Sequence, residues 1–147
     1  MLNDREVLST LSMIKNENLD VRTVTLGISL LDCASHDLSR FTDTIYKRIT
    51  TLARDLVIVC DEVGDRFGIP VVNKRISVSP IAVAAAPFDS RGMVEVAKTL
   101  DQAAKDVNVD FIGGFGALVE KGMAKGDLAL IDAIPEALDV THRMCSS

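Results

Sequence analysis

From Arg22 to Leu30 the chain alternates with a period of two. Arg22, Val24, Leu26, Ile28 and Leu30 fall on one side, and Val21, Thr23, Thr25, Gly27 and Ser29 on the other. This pattern, rich in β-branched residues, predicts a strand with one largely apolar face and one small, hydroxylated face. Leu31 breaks the alternation, and Asp32-Cys33 closes the strand. Val71–Val78 repeats the design. Val72, Ile76 and Val78, with Lys74 among them, face one way, whereas Asn73, Arg75, Ser77 and Ser79 face the other. Between the two strands, Phe41, Ile45, Ile49, Leu52, Leu56, Cys60, Val63 and Phe67 recur at helical spacing. They predict one long helix from an N-cap at Ser39 to Phe67, deeply packed in its C-terminal half around Val57, Ile58 and Val59, with Cys60 as a small core residue. Strand, helix and strand at this spacing form a βαβ unit, so the two strands should be parallel.

The flanking segments extend the same alternation of elements. Asn3 and Glu6 make a capping-box signature ahead of an apolar face of Val7, Leu8, Leu11 and Ile14, and Asn16–Asn18 stops that first helix. After Pro80, the Ala-rich run Ile81–Ala86 reads as a helical turn or buried loop. Asp89 or Ser90 caps a helix from Met93 to about Val107. Val109–Ile112 reads as a short third strand, followed by Gly113-Gly-Phe-Gly116. Ala117–Lys121 is expected to form a helical turn, and Asp127 to cap a last helix through Ile131, Ile134 and Leu138. Thr141 onward begins another extended segment, on which the chain closes. That ending reads as a truncation. With no repeats or linkers, residues 1–147 are expected to form a single α/β domain.

Composition narrows the function classes. The 147 residues are 48% hydrophobic but only 4% aromatic, which implies an aliphatic α/β core. A net charge of −5, with no basic run, argues against nucleic acid or an anionic membrane as a partner. The N-terminus has no signal-peptide h-region and no apolar run is long enough to span a bilayer, so a cytoplasmic location is expected. Three cysteines without a CxxC and two histidines without ligand spacing indicate neither a disulfide framework nor a metal site, and no cofactor is implied.

Candidate chemistry sits on the polar faces and at the strand ends. Asp32 beside Cys33, at a strand terminus, could pair an acid or base with a thiol nucleophile; a structural cysteine near a loop is the favoured reading, since nothing in the sequence shows the lowered pKa a reactive thiol needs. Arg75, between Asn73 and Ser77, could hold a carboxylate or phosphate bidentately, or pair with a carboxylate elsewhere in the fold. Thr25 and Ser29 would complete such a ligand-binding face. Gly113 and Gly114 would let backbone approach a ligand, although a turn needing positive φ is the commoner meaning. Their order does not match a dinucleotide fingerprint. His36 and His142 read as surface or loop residues.

Four separated blocks carry a resemblance: Arg22–Cys33, Gly68–Pro80, Val109–Gly116 and Cys145-Ser-Ser147. In these the whole chain resembles the opening part of a bacterial and archaeal family, uncharacterised protein family two-hundred-and-ten (domain of unknown function seven-eleven). The resemblance implies a slice of a large α/β barrel similar to pyruvate formate-lyase, and an ACT-domain protein as a partner. It leaves the reaction open. In such a barrel the apolar strand faces lie under helices and the polar faces line the lumen. Thr23, Thr25, Ser29, Asn73, Arg75, Ser77 and Ser79 would then converge, with Asp32 and Cys33 at the rim. The alternative is a sheet whose polar side simply faces solvent. Cys145 falls where the glycyl-radical fold sends a finger loop into its barrel, although the C-terminal glycine segment of those enzymes is not in this chain.

Two functions follow as expectations. One is an enzyme acting on a small carboxylate- or phosphate-bearing metabolite, held by Arg75, with Asp32, Cys33 or Cys145 for chemistry. The other is a non-catalytic metabolite-binding barrel that works with the ACT-domain partner. A chain of this length would also leave sheet edges unpaired, which favours self-association.

Overall fold

The computed structural model describes residues 3–17 and 20–147, apart from the side chains of residues 14, 16 and 17. Helix α1 (Asp4–Glu17) starts as expected: Asn3 N–H donates to Glu6 Oε2 at 3.1 Å, and Asn3 Oδ1 accepts from Arg5 N–H at 3.2 Å. Val7, Leu8 and Leu11 on its apolar face are exposed. The expected stop at Asn18 and the side chain of Ile14 lie outside the described residues.

Strand β1 (Val21–Ile28) leads through a 3-10 turn at Leu31–Cys33 into α2 (Leu38–Leu52) and α3 (Leu56–Phe67), and then β2 (Val71–Val78). Next come the short α4 (Ile81–Ala84), α5 (Ser90–Asp106), β3 (Phe111–Phe115), α6 (Lys125–Asp139) and β4 (Met144–Ser146). The four strands form one sheet in the order β1-β2-β3-β4, with every neighbouring pair parallel. The chain is therefore an α/β protein of repeated βαβ units, as the strand periodicity predicted.

The inner face of the sheet is carried by Ile28, Ile76 and Ile112, all buried, and continues into Met144. Phe41, Ile45 and Ile49 of α2 and Met93, Val96 and Leu100 of α5 are fully buried against it. Each such side chain contributes roughly 2–3 kcal/mol through lost contact with water. Phe41 also meets Phe88 with ring centroids 5.4 Å apart. Lys74, the cation on this apolar side, reaches Asp61 of α3 at 2.9 Å, while Arg22 stays exposed beside Asp20. On the opposite face, Thr25, Gly27, Ser29, Arg75, Ser77, Phe111 and Cys145 are exposed. Parallel sheets normally carry cover on both faces. Among the described residues, this one has its helical layer on one.

Several expectations are corrected. The long helix Ser39–Phe67 is two helices, because the backbone leaves helical geometry at Ala53 (φ −96°, ψ 2°), itself fully buried. Helix α2 packs on α5 whereas α3 packs on β2, and one straight rod cannot serve both. The deep packing expected around Val57–Val59 is absent: α3 turns Cys60 and Gly64 inward, and Ile58, Val59, Val63 and Phe67 are exposed. The N-cap of α2 is Asp37 rather than Ser39, its Oδ1 accepting from Arg40 N–H at 2.8 Å. Helix α5 starts at Ser90 rather than Met93, with Asp89 as its cap. Strand β3 begins two residues later than Val109, so the glycines lie within it and not after it. Residues 117–121 form no helical turn. Asp127 lies inside α6, where its carboxylate accepts the N–H of Ala124, the N-cap, at 2.7 Å.

Candidate functional site

Parallel register places the exposed residues in rows across the sheet. Thr25, Arg75 and Phe111 are successive Cα partners on β1, β2 and β3, and Gly27, Ser77 and Gly113 form the next row on the same face. One row is bulky and cationic; the other is nearly flat. Together with Cys145 from β4, Thr25, Arg75, Ser77, Phe111 and Gly113 line a depression of about 350 Å3. The Arg75 guanidinium lies over the Phe111 ring, 5.3 Å from its centroid. Among the described residues, no carboxylate reaches ion-pair distance of Arg75, and the hydroxyls of Thr25 and Ser77 have no hydrogen-bond partner. The depression therefore offers a cation, two hydroxyls and a thiol that no ion pair or hydrogen bond among the described residues occupies.

Cys145 reaches this face because β4 is held in place by a buried carboxylate. Asp101 of α5, only 3% exposed, accepts the backbone N–H groups of His142 at 2.8 Å and Arg143 at 2.6 Å, and its other oxygen takes Lys105 Nζ at 2.7 Å. Burial pushes its carboxyl up, but Lys105 and those two N–H groups outweigh burial and hold it below the ordinary carboxylate value. Arg143 in turn donates to the Val109 carbonyl at 2.7 Å, and Ile112 N–H bonds the Arg143 carbonyl at 2.9 Å. The side chain after Met144, which is Cys145, then points to the open face.

The other candidates are placed differently. Asn73 and Ser29 share the open face but lie outside the depression. Asn73 Nδ2 donates to the Arg22 carbonyl at 3.0 Å, tying β2 to β1. Ser79 accepts Leu30 N–H at 3.1 Å. Gly114 adopts φ 110°, and a Cβ there would collide with the Val78 carbonyl, so backbone packing requires this glycine. Gly113 has no such demand: a Cβ would meet nothing within 4 Å.

Asp32 and Cys33 do not reach the rim of the depression. The 3-10 turn carries them to a separate hollow of about 420 Å3, shared with Thr44, Lys47, Arg48, Thr51 and Leu52 of α2. There Asp32 is ion-paired to Arg48, whose hydrogen bond holds the carboxyl below its ordinary range. Cys33 Sγ lies 4.0 Å from Asp32 Oδ1, and burial first, then the Asp32 charge, push its thiol up. A thiol in that setting is a poor nucleophile at neutral pH. Among the described residues, no group of three or more His, Cys, Asp or Glu side chains is arranged to hold a metal ion, and no helix is long and apolar enough to cross a membrane.

Sequence reasoning missed Phe111 and Asp101. Phe111 is in phase with Gly113, and placing the third strand correctly would have put both on the open face. Asp101 sits on the inner side of an otherwise apolar helix stripe, a position where a carboxylate needs partners.

A four-stranded parallel sheet alternating with helices, with its helical layer on one face among the described residues, defines an α/β protein. The family model described as Uncharacterised ACR (DUF711) matches residues 12–147, and the chain belongs to that family. It is 67% identical over its whole length to a UPF0210 protein of Desulfovibrio desulfuricans. Over 99% of its length it is 54% identical to UPF0210 protein Mbar_A3181 of Methanosarcina barkeri, and over 97% it is 55% identical to a UPF0210 protein of Streptococcus sanguinis. The chain spans 32% of the length of each of these relatives.

Proposed function

We propose that the open face of the sheet binds a small carboxylate- or phosphate-bearing metabolite, and that in the whole protein it lines the interior of a larger α/β barrel similar to pyruvate formate-lyase. The observation that carries this reading is the Arg75 guanidinium. It stands on a strand face beside a flat row of Gly27, Ser77 and Gly113, and no described carboxylate neutralises it. Two free hydroxyls beside an unspent fork of N–H donors suit an oxyanion. The further length of the relatives is available to cover this face.

Binding is favoured over catalysis for the residues described. A nucleophile is activated by an adjacent base, by a lowered pKa or by a metal ion, and an adjacent base is the route that side-chain geometry displays. Cys145 lines the depression without a carboxylate or histidine beside it, while Asp32 and Cys33 lie in the other hollow. The reading is therefore a metabolite-binding role, and the family resemblance adds an ACT-domain partner and a cytoplasmic setting to the proposal. The test is thermal unfolding of the full-length protein with malonate or inorganic phosphate, since a ligand of the native state raises the midpoint. At least one anion should raise it in the wild type, with no rise in Arg75→Ala. An equal rise in both proteins, or none with either anion, would sink the proposal.

A further inference from the structure

The contact between Arg75 and Phe111 adds a selectivity that charge alone does not supply. We infer that these two residues form a fixed planar fork that prefers a carboxylate to a phosphate; this rests on the anion-binding reading above.

The two are Cα partners in the β2–β3 ladder, so the ring is delivered beside the guanidinium by backbone register and not by a mobile loop. At 5.3 Å from centroid to guanidinium carbon, the ring engages the cation within cation–π range. Such a contact fixes the side chain but leaves the N–H donors at the edge of the guanidinium unspent, and no hydrogen bond from a described residue occupies them. Phe111 is 38% exposed, and its neighbours across and along the face, Thr25, Arg75, Ser77 and Gly113, are small or polar. An aromatic there costs apolar exposure, and among the described residues its one cation–π or ring–ring contact is with Arg75.

A carboxylate chelated by such a fork lies in the guanidinium plane. A phosphate can be chelated too, but its remaining oxygens project out of that plane, and on one side they meet the aromatic ring. The carbon body of a carboxylate has somewhere to go. Gly113 follows Phe111 by two residues on the same face, its missing Cβ leaves open space, and Ser77 lies next to it in register. The ligand class is thus a small carboxylate whose body lies over Ser77 and Gly113.

The experiment is calorimetric titration of the full-length protein with malonate and with inorganic phosphate. Wild type should bind malonate more tightly than phosphate. Arg75→Lys keeps the charge but loses the fork, and Phe111→Leu keeps an apolar side chain but frees the guanidinium. Each should weaken malonate about tenfold and abolish its advantage over phosphate. Phe111→Tyr retains the ring and should retain the preference, which keeps the test decisive if circular dichroism finds Phe111→Leu unfolded. A wild type that prefers phosphate, or a preference unchanged in folded Arg75→Lys or Phe111→Leu, overturns the fork. If binding is lost in Arg75→Ala while that preference persists in the other variants, the anion site stands and only the fork falls. No binding of either anion to wild type removes both.

Discussion

Gly114 lies so close to Val78 on the neighbouring strand that a β-carbon at position 114 would collide with the Val78 carbonyl oxygen, while its neighbour Gly113 faces open space. Two adjacent glycines therefore answer to different demands. Gly114 holds φ 110° at the point where the β3–β4 register shifts, a conformation that costs an L side chain strain on top of the clash.

Gly114→Ala should consequently destabilise the fold by more than about 2 kcal/mol in chemical denaturation. Gly113→Ala should stay within about 0.5 kcal/mol of wild type, because removing a glycine from a strand restricts the unfolded chain. Equal costs at the two positions would mean that both glycines are structural.

Asp101 anchors β4 through two backbone N–H groups and Lys105. Asp101→Ala leaves those donors buried without an acceptor and should cost about 2–3 kcal/mol. The sign of the pH dependence follows from the lowered carboxyl. A group whose folded pKa lies below its unfolded value stabilises above the unfolded value, 3.8 here, and loses that contribution as pH falls through the folded one. Wild type should therefore lose stability more steeply than Asp101→Asn below about pH 4. Urea midpoints between pH 2.5 and 6 check this, and parallel profiles for the two proteins would contradict it.

The strands were readable because a half-buried strand writes its two environments into alternate residues, and β1 and β2 do so at residues 25–28 and 75–78. The break between α2 and α3 left no such mark: Leu52, Leu56 and Cys60 continue the stripe, and no glycine or proline interrupts it. What marks the break is that α2 packs on α5 whereas α3 packs on β2, a tertiary fact. The start of β3 was hidden because Val109 is fully buried outside the strand, and Gly113-Gly114 reads locally as a turn. At the site, Arg75, Thr25 and Ser77 were found by phase, and Gly113 by its residue type, as a glycine that lets backbone approach a ligand. The partner of Asp32 could not be, since Arg48 lies 16 residues away and meets it only once α2 has docked.

The three thiols should separate in rate. Cys33 and Cys60 are buried, and burial pushes both thiols up, with Asp32 adding to the effect at Cys33. Cys145 is exposed on the open face. Because the thiolate is the reacting species, native protein treated with iodoacetamide should be labelled at Cys145 first. Cys33 and Cys60 should follow only on unfolding. Peptide mass mapping over a time course reads the order, and early labelling at Cys33 would show that its hollow opens readily.

The last prediction concerns association. The sheet has outer strands at β1 and β4, and its polar face carries no helical layer among the described residues. On the helical side, α3 exposes Ile58, Val59, Val63 and Phe67, of which Val59, Val63 and Phe67 recur at four-residue spacing as one stripe. Unpaired strand edges and contiguous apolar stripes both favour contact between copies. The 147-residue chain should therefore sediment as oligomers whose average mass grows with concentration. Exchanging apolar for charged groups in Val59→Glu with Phe67→Glu removes the stripe without touching the buried side of α3 at Cys60 and Gly64. That double variant should move toward monomer if the stripe is the contact, and remain associated if the strand edges are. A wild-type chain that stays monomeric across the series, with one sharp unfolding transition, would show that neither surface drives association and that the four-stranded unit is self-sufficient.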